Sequence, residues 1–256
     1  MTISASERRR DIVELAHTSG LASVDDLSRR FDVTPSTIRR DLAQLTARGE
    51  IARTYGGAMA LGPSGAEPSF RQRTGEAGVA KSSIARWARR QLVDGETILL
   101  DAGSTVSALA RELRHGFTGT VATTSIAVVQ QLAETDRVHV ECLGGTLRVA
   151  SQGFVGPLTE ASLERMTFDR VFLGADGVLA SGHVVEADLA QTRLKELMCR
   201  QSERVYVLAD GSKLGRATFH ARAALPAGWT LVTDDTATAD ALAEFAAAGV
   251  EVVVAD

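Results

Sequence analysis

Apolar positions in the first sixty residues recur every three or four places, whereas from about residue 96 they gather into short runs separated by helical patterns. The first pattern predicts a helix from about Glu7 to Thr18, with Ile12, Leu15 and Ala16 at helical spacing and Gly20 as its stop. Ser23 starts a second helix, with Asp26 three residues on in a capping-box-like arrangement and Leu27 and Phe31 on the apolar face. Thr34 caps a third, and Pro35 takes its first helical position, where a missing N–H costs nothing. Ile38, Leu42 and Leu45 stand at i, i+4 and i+7 of that helix and predict one buried stripe. Gly49 ends it, and EIARTYGGAM (50–59) predicts two short strands about a Gly56-Gly57 turn, a wing.

The later pattern is different. A helix over about 77–93 precedes the apolar run ETILLDAG, a helix from Ser104 to Arg114, strand TVATTS, a helix through Leu132 and strand VHVECLGG. FDRVFLGADG, ERVYVLAD, TLVTDD and VEVVVAD repeat the theme of an apolar strand whose C-terminal end carries Asp, Gly, Ser or Thr. Such alternation predicts an α/β fold with a mostly parallel sheet covered by helices, in which ligands bind beyond the strand C-termini. Between the two patterns, LGPSGAEPSFRQR (61–73) holds two prolines, two glycines and two serines, which is linker chemistry. The expected organisation is a helical domain with a wing over 4–60, a linker over 61–75 and an α/β domain over 76–256.

Composition narrows the class. With 45% apolar and 23% charged residues, the chain has the make-up of a soluble globular protein. No run of about 18 apolar residues occurs and MTISASERRRD lacks the apolar core of a signal peptide, so a cytoplasmic location and no membrane partner are expected. Two distant cysteines, Cys142 and Cys199, and five histidines without ligand spacing lead us to expect no disulfide, metal or cofactor. The net charge of −4 by itself argues against a nucleic-acid partner. Its distribution argues otherwise: residues 1–60 hold nine Arg against eight acids, +1, and the remainder holds 19 basic against 24 acidic residues, −5.

At about 100° per residue, Arg40 lies opposite the apolar stripe of the third helix, flanked by Ser36, Thr37 and Gln44, while Arg39 lies to one side with Asp41 and neighbouring acids as available partners. A lone helix of this kind is usually just solvated. The order helix, helix, short turn, Pro-started helix, then a wing carrying Arg53 and Tyr55, favours a helix-turn-helix whose third helix enters the major groove. In the second domain Asp101, Gly103, Ser104 and Thr105 form a strand-to-helix turn whose helix N-terminus suits a phosphate. Thr123, Thr124 and Ser125 repeat the design; Lys195 and Lys213 add cationic contacts, and Asp101, Asp176 and Asp188 suit sugar hydroxyls. Each turn alone is an ordinary capping turn. Together they predict a phosphorylated sugar or polyol ligand.

SVDDLSRRFDVTPSTIRRDLAQLTARGEIARTYGGA (23–58) resembles the winged helix-turn-helix of the DeoR family of bacterial transcription regulators, in which TIRRDL is followed by a wing reading R-x-x-GGA. LLDAGSTVSALAREL, GGTLRVASQGFVG, FLGADG and LADGSKLG resemble that family's C-terminal sensor domain, similar in fold to ribose-5-phosphate isomerase. The resemblance implies a repressor of a carbohydrate or polyol operon, released from double-stranded operator DNA by the effector and acting as a homodimer or homotetramer. It implies DNA contacts from Ser36, Thr37, Arg39 and Arg40. Thr124 stands where the family commonly has Asn, preserving hydrogen bonding, and Gln191 where it commonly has Glu, removing a charge. Two other readings stay open at this point: a sugar-phosphate isomerase-like enzyme with Asp101, Asp176 and Lys195 as acid and base, although no catalytic residue can be assigned, and an interaction module that binds no DNA.

Overall fold

The computed structural model describes residues 4–19, 22–47, 51–54, 57–60 and 67–256, and the chain divides into two compact units, Met1–Glu76 and Ala77–Asp256. Unit one begins with α1 (Ala5–Ser19), β1 (Ala22–Ser23), α2 (Val24–Phe31) and α3 (Pro35–Ala47). Ser23 caps α2 by accepting the Asp26 N–H at 3.0 Å, and Asp32 enters the left-handed region (φ 48°) to turn the chain towards α3. Thr34 Oγ1 accepts from the Thr37 N–H at 3.3 Å, so the Thr-Pro start predicted for α3 is present. Ile12, Val24, Leu27, Ile38, Leu42 and Leu45 close the core between the three helices.

After α3 come β2 (Ile51–Thr54) and β3 (Gly57–Ala60), antiparallel in the register Thr54↔Gly57. A two-residue strand not foreseen, β1, joins β3 and completes a sheet of order β1-β3-β2. The segment expected as linker also carries α4 (Phe70–Gly75). A capping box sits among the prolines and glycines: Ser69 accepts from the Gln72 N–H, Gln72 accepts from the Ser69 N–H at 2.7 Å, and Glu67 pairs with Arg73 at 3.2 Å. Gly20, Gly49, Tyr55, Gly56 and residues 61–66 lie outside the described residues.

Unit two opens with α5 (Gly78–Arg90), then β4 (Thr97–Leu100), α6 (Ser104–Leu113), β5 (Gly119–Thr123), α7 (Ile126–Leu132) and β6 (Val138–Cys142). A hairpin of β7 (Thr146–Arg148) and β8 (Gly153–Val155) leads through α8 (Pro157–Leu163) to β9 (Phe168–Leu173). The rest is β10 (Gly177–Leu179), β11 (His183–Glu186), α9 (Leu189–Arg200), β12 (Ser202–Leu208), β13 (Ala221–Ala224), β14 (Thr230–Asp234), α10 (Ala239–Ala247) and β15 (Glu251–Ala255). The seven predicted strands form one sheet of order β15-β14-β12-β9-β4-β5-β6, parallel at each pairing. Period-two alternation splits the central strands between two cores. Ile98, Leu100, Phe172 and Tyr206 face the layer of α5, α6 and α7, whereas Leu99, Val171, Leu173 and Val207 face α8, α9 and α10. The antiparallel β10-β11-β13 sheet, absent from the sequence expectation, packs Val178, Val184 and Ala223 into the second core.

Candidate functional sites

On α3 the predicted outward residues Ser36, Arg39, Arg40 and Gln44 are exposed and Thr37 is half-buried, while Ile38 on the opposite side is fully buried. Thr34 Oγ1 lies 2.8 Å from Ser36 Oγ and 2.9 Å from Thr37 Oγ1, tying the hydroxyls together at the helix start. Asp41, which sequence left as a partner for Arg39, instead turns inward. It is buried and takes Arg8 of α1 at 2.7 Å, with Arg9 at 3.9 Å. The acid therefore fastens α1 to α3, and among the described residues no ion pair engages Arg39 or Arg40. Arg53 lies on β2; its side chain, like Tyr55, is outside the described set.

In unit two the chain winds from β4 through β5 and β6 one way, and through β9, β12, β14 and β15 the other. Adjacent parallel strands diverging like this leave a crevice at their C-terminal ends. Asp101 follows β4 directly and is buried, its Oδ2 accepting the Gly174 N–H at 3.1 Å and the Lys195 ammonium. Lys195 Nζ also donates to Gly174 O at 2.8 Å and lies 3.2 Å from Glu186 Oε1. Lys195 was expected as a contact for a ligand phosphate. At 2% exposure its charge serves the protein: burial opposes it, but Asp101 and Glu186 outweigh burial and hold the ammonium protonated. Glu186 shows the converse, its carboxyl pushed up to about 7, chiefly by burial.

Around this cluster the other predicted residues take distinct places. Gly103 precedes α6 and brings no side-chain cap, and Ser104 and Thr105 are buried in the first turn, leaving amides that have no partner within the helix. Thr123 is a strut: its hydroxyl donates to Leu100 O at 2.8 Å and accepts from the Ser125 N–H at 3.0 Å. Thr124 Oγ1 and Gln191 Oε1 are buried without a hydrogen-bond partner, which is uncommon enough to require an explanation. Asp176 is buried just beyond β9. Asp188 caps α9 through the Gln191 N–H at 3.1 Å and sits 3.6 Å from Arg148 of β7. Lys213 is half-buried on the 3-10 turn Gly211–Lys213, a turn held to β10 by Gly215 N–H donating to Val178 O at 2.8 Å.

The β7–β8 hairpin roofs the ends of β4 and β5. Phe154 N–H donates to Thr124 O at 2.6 Å, and a Cβ on Gly153 would stand 2.6 Å from Ala102 Cβ, too close for any other residue without movement. Sequence reasoning missed Glu186 and Arg148. An acid ending the alternating run HVVE was a signal for the first; the second was hidden because the hairpin itself was not foreseen. A cavity of about 470 Å³ lies at the opposite ends of the strands, lined by Thr97, Asp169, Arg200 and Glu203 among others.

A winged helix-turn-helix with an unpaired arginine face, joined to a doubly wound α/β unit with a polar crevice at its switch point, defines a DNA-binding regulator with a sensor domain. Residues 8–63 match the model of the DeoR-like helix-turn-helix domain, and residues 76–235 that of the DeoR C terminal sensor domain. The chain belongs to the DeoR family of transcriptional regulators. It is 37% identical to the HTH-type transcriptional regulator GlpR of Haloferax volcanii, over 97% of each chain. It is 34% identical to a putative aga operon transcriptional repressor of Escherichia coli O157:H7, covering 97% of this chain and 93% of the relative. To the glycerol-3-phosphate regulon repressor of Escherichia coli K12 it is 31% identical, over 82% and 83%. Among solved structures, ribose 5-phosphate isomerase A of Methanocaldococcus jannaschii is similar at a TM-score of 0.39 and 20% identity over 52% of each chain, from which nothing about activity follows. These curated relatives are regulators, and the chain is a regulator rather than an isomerase. Among the described residues no helix is long and apolar enough to cross a membrane.

Proposed function

We propose that this protein represses an operon for carbohydrate or polyol use and is released from its operator by a phosphorylated sugar or polyol bound in unit two. The observation that carries the first half is the diversion of Asp41 to Arg8, which leaves Arg39 and Arg40 to the solvent beside Ser36, Thr37 and Gln44. In the major groove Arg40 and Gln44 are suited to base edges, and Arg39 and the hydroxyls to phosphates. Arg53 and Tyr55 on the wing take the adjacent backbone. Salt-dependent affinity is expected in spite of the acidic whole, because the neutralising charge is local.

The effector lies at the C-terminal ends of β4 and β5. Its phosphate takes the free amides of Gly103, Ser104 and Thr105 at the start of α6, with Lys213 as a further cation. Its hydroxyls take Asp101, Asp176, Asp188 and Thr124, while Thr123 shapes the turn. The unpartnered Thr124 Oγ1 and Gln191 Oε1 support a hydroxylated ligand, since a buried polar atom is retained at a cost unless something bonds to it. The name of the glycerol-3-phosphate regulon repressor points the same way. Release requires the effector to favour one arrangement of a homodimer or homotetramer over another. The test is a DNA-binding assay on the promoter of the protein's own gene with phosphorylated sugars added singly: loss of the complex with one of them is expected, and no response to any would contradict the sensor assignment.

A further inference from the structure

Two carboxyl groups, Asp101 and Glu186, share one ammonium beneath the ends of β4 and β9, with Asp176 near Glu186, all almost without access to water: Asp101 is 3%, Asp176 5%, Glu186 3% and Lys195 2% exposed. With Asp101 and Glu186 both ionised, these two and Lys195 would hold one net negative charge almost out of reach of water, which burial disfavours. Hydrogen bonding sets Glu186 apart from Asp101. Asp101 accepts both the Lys195 ammonium and the Gly174 N–H. Glu186 meets the same ammonium at 3.2 Å, already shared with Asp101 and Gly174 O. Burial raises the Glu186 carboxyl to about 7, Asp176 and Asp101 adding to the rise against the pull of Lys195. Three further titratable groups on α9, β13 and β11 turn elsewhere. Glu196 of α9 accepts the Ala224 N–H at 3.1 Å, Arg222 of β13 is exposed opposite Val185, and His183 of β11 lies 3.2 Å from Ser181.

We propose that Glu186 is a proton-binding site coupled to the effector site, so that binding a phosphorylated effector takes up a proton at Glu186 and the regulator reads pH and effector together. The inference rests on the reading that the effector lies at the ends of β4 and β5. Helix α6 begins three residues after Asp101, so a phosphate held at its N-terminus adds negative charge near the cluster and excludes water above it. Both effects disfavour ionised Glu186 further. By linkage, affinity is greatest on the acid side and falls as pH rises through 7, by about tenfold per pH unit where a full proton is taken up.

The test is calorimetric titration of the full chain with glycerol 3-phosphate and with ribose 5-phosphate at pH 7.5, in buffers of differing ionisation enthalpy, for the wild type and Glu186→Gln. The phosphate's own second ionisation, near pH 6, contributes equally to both proteins, so the difference in protons taken up is the readout. We expect uptake of a large fraction of a proton in the wild type and less in Glu186→Gln, which still binds. Equal uptake in the two overturns the coupling and leaves the effector site standing. Binding of neither phosphate overturns the coupling together with the effector reading. Should Glu186→Gln fail to fold, the wild type decides: uptake beyond that of the phosphate alone supports the proposal, and uptake equal to it refutes it.

Discussion

Lys195→Met keeps the length of the side chain and removes its charge from a position that is 2% exposed. In the native protein the ammonium satisfies Asp101, Gly174 O at 2.8 Å and Glu186 at 3.2 Å. Methionine satisfies none of them, and breaking a buried pair by removing one partner costs about 3–5 kcal/mol. Part of that loss is recovered by protonating the stranded Glu186, which fixes the sign of the pH dependence. With the cation gone, the folded-state value of Glu186 rises further above its unfolded one, and the folded state binds more protons than the unfolded. Stability then declines as pH increases between those limits, so the deficit is smaller at pH 6 than at pH 8. Both tryptophans of the chain, Trp87 and Trp229, belong to unit two, so guanidinium unfolding followed by their fluorescence reports this unit directly. A variant within about 0.5 kcal/mol of wild type at both pH values, the range of an ordinary surface change, refutes the role of Lys195 as counter-charge of the cluster.

Asp41→Ala leaves Arg8 buried without its partner and is expected to destabilise unit one by roughly 3 kcal/mol, read as faster hydrogen exchange in α1 and α3 with unit two unchanged. Thr123→Val is nearly isosteric but strands Leu100 O and the Ser125 N–H, a loss of about 2 kcal/mol in the same fluorescence assay. Gly153→Ala places a methyl 2.6 Å from Ala102 Cβ and should cost about 1–3 kcal/mol; adding Ala102→Gly should restore most of it, since the two positions are in contact.

The seven strands of the main sheet were legible because each is a short apolar run closed by small or acidic residues, and the period-two split between two cores follows from that pattern. The third helix was equally plain, since Ile38, Leu42 and Leu45 leave one side for Arg40. The β7–β8 hairpin and β10-β11-β13 were not. Their strands are three or four residues long, and segments such as GGTLRVASQGFV look like loop until something packs beneath them. The same limit hid the charge balance of the site. Sequence offered Asp101 and Lys195 as ligands side by side, but that Lys195 is consumed by Asp101 and Glu186 depends on α9 and β11 meeting over β9, a long-range fact no local pattern carries. The fate of Asp41 was ambiguous for the same reason, because its partner Arg8 lies on another helix.

Regulation by this protein turns on whether the α3 face grips DNA and whether a sugar phosphate loosens that grip. The direct measurement is fluorescence anisotropy of the full chain on labelled DNA from upstream of its own gene, against salt, with wild type and Arg40→Ala, before and after adding the phosphorylated sugar or polyol that most raises the protein's thermal stability. The expected result is sequence-specific binding that weakens steeply with salt, a loss of at least about tenfold in Arg40→Ala with thermal stability unchanged, and release of wild-type complex by the phosphate ester. Arg40→Ala binding with wild-type affinity, or a complex indifferent to a ligand that demonstrably stabilises the protein, would contradict it.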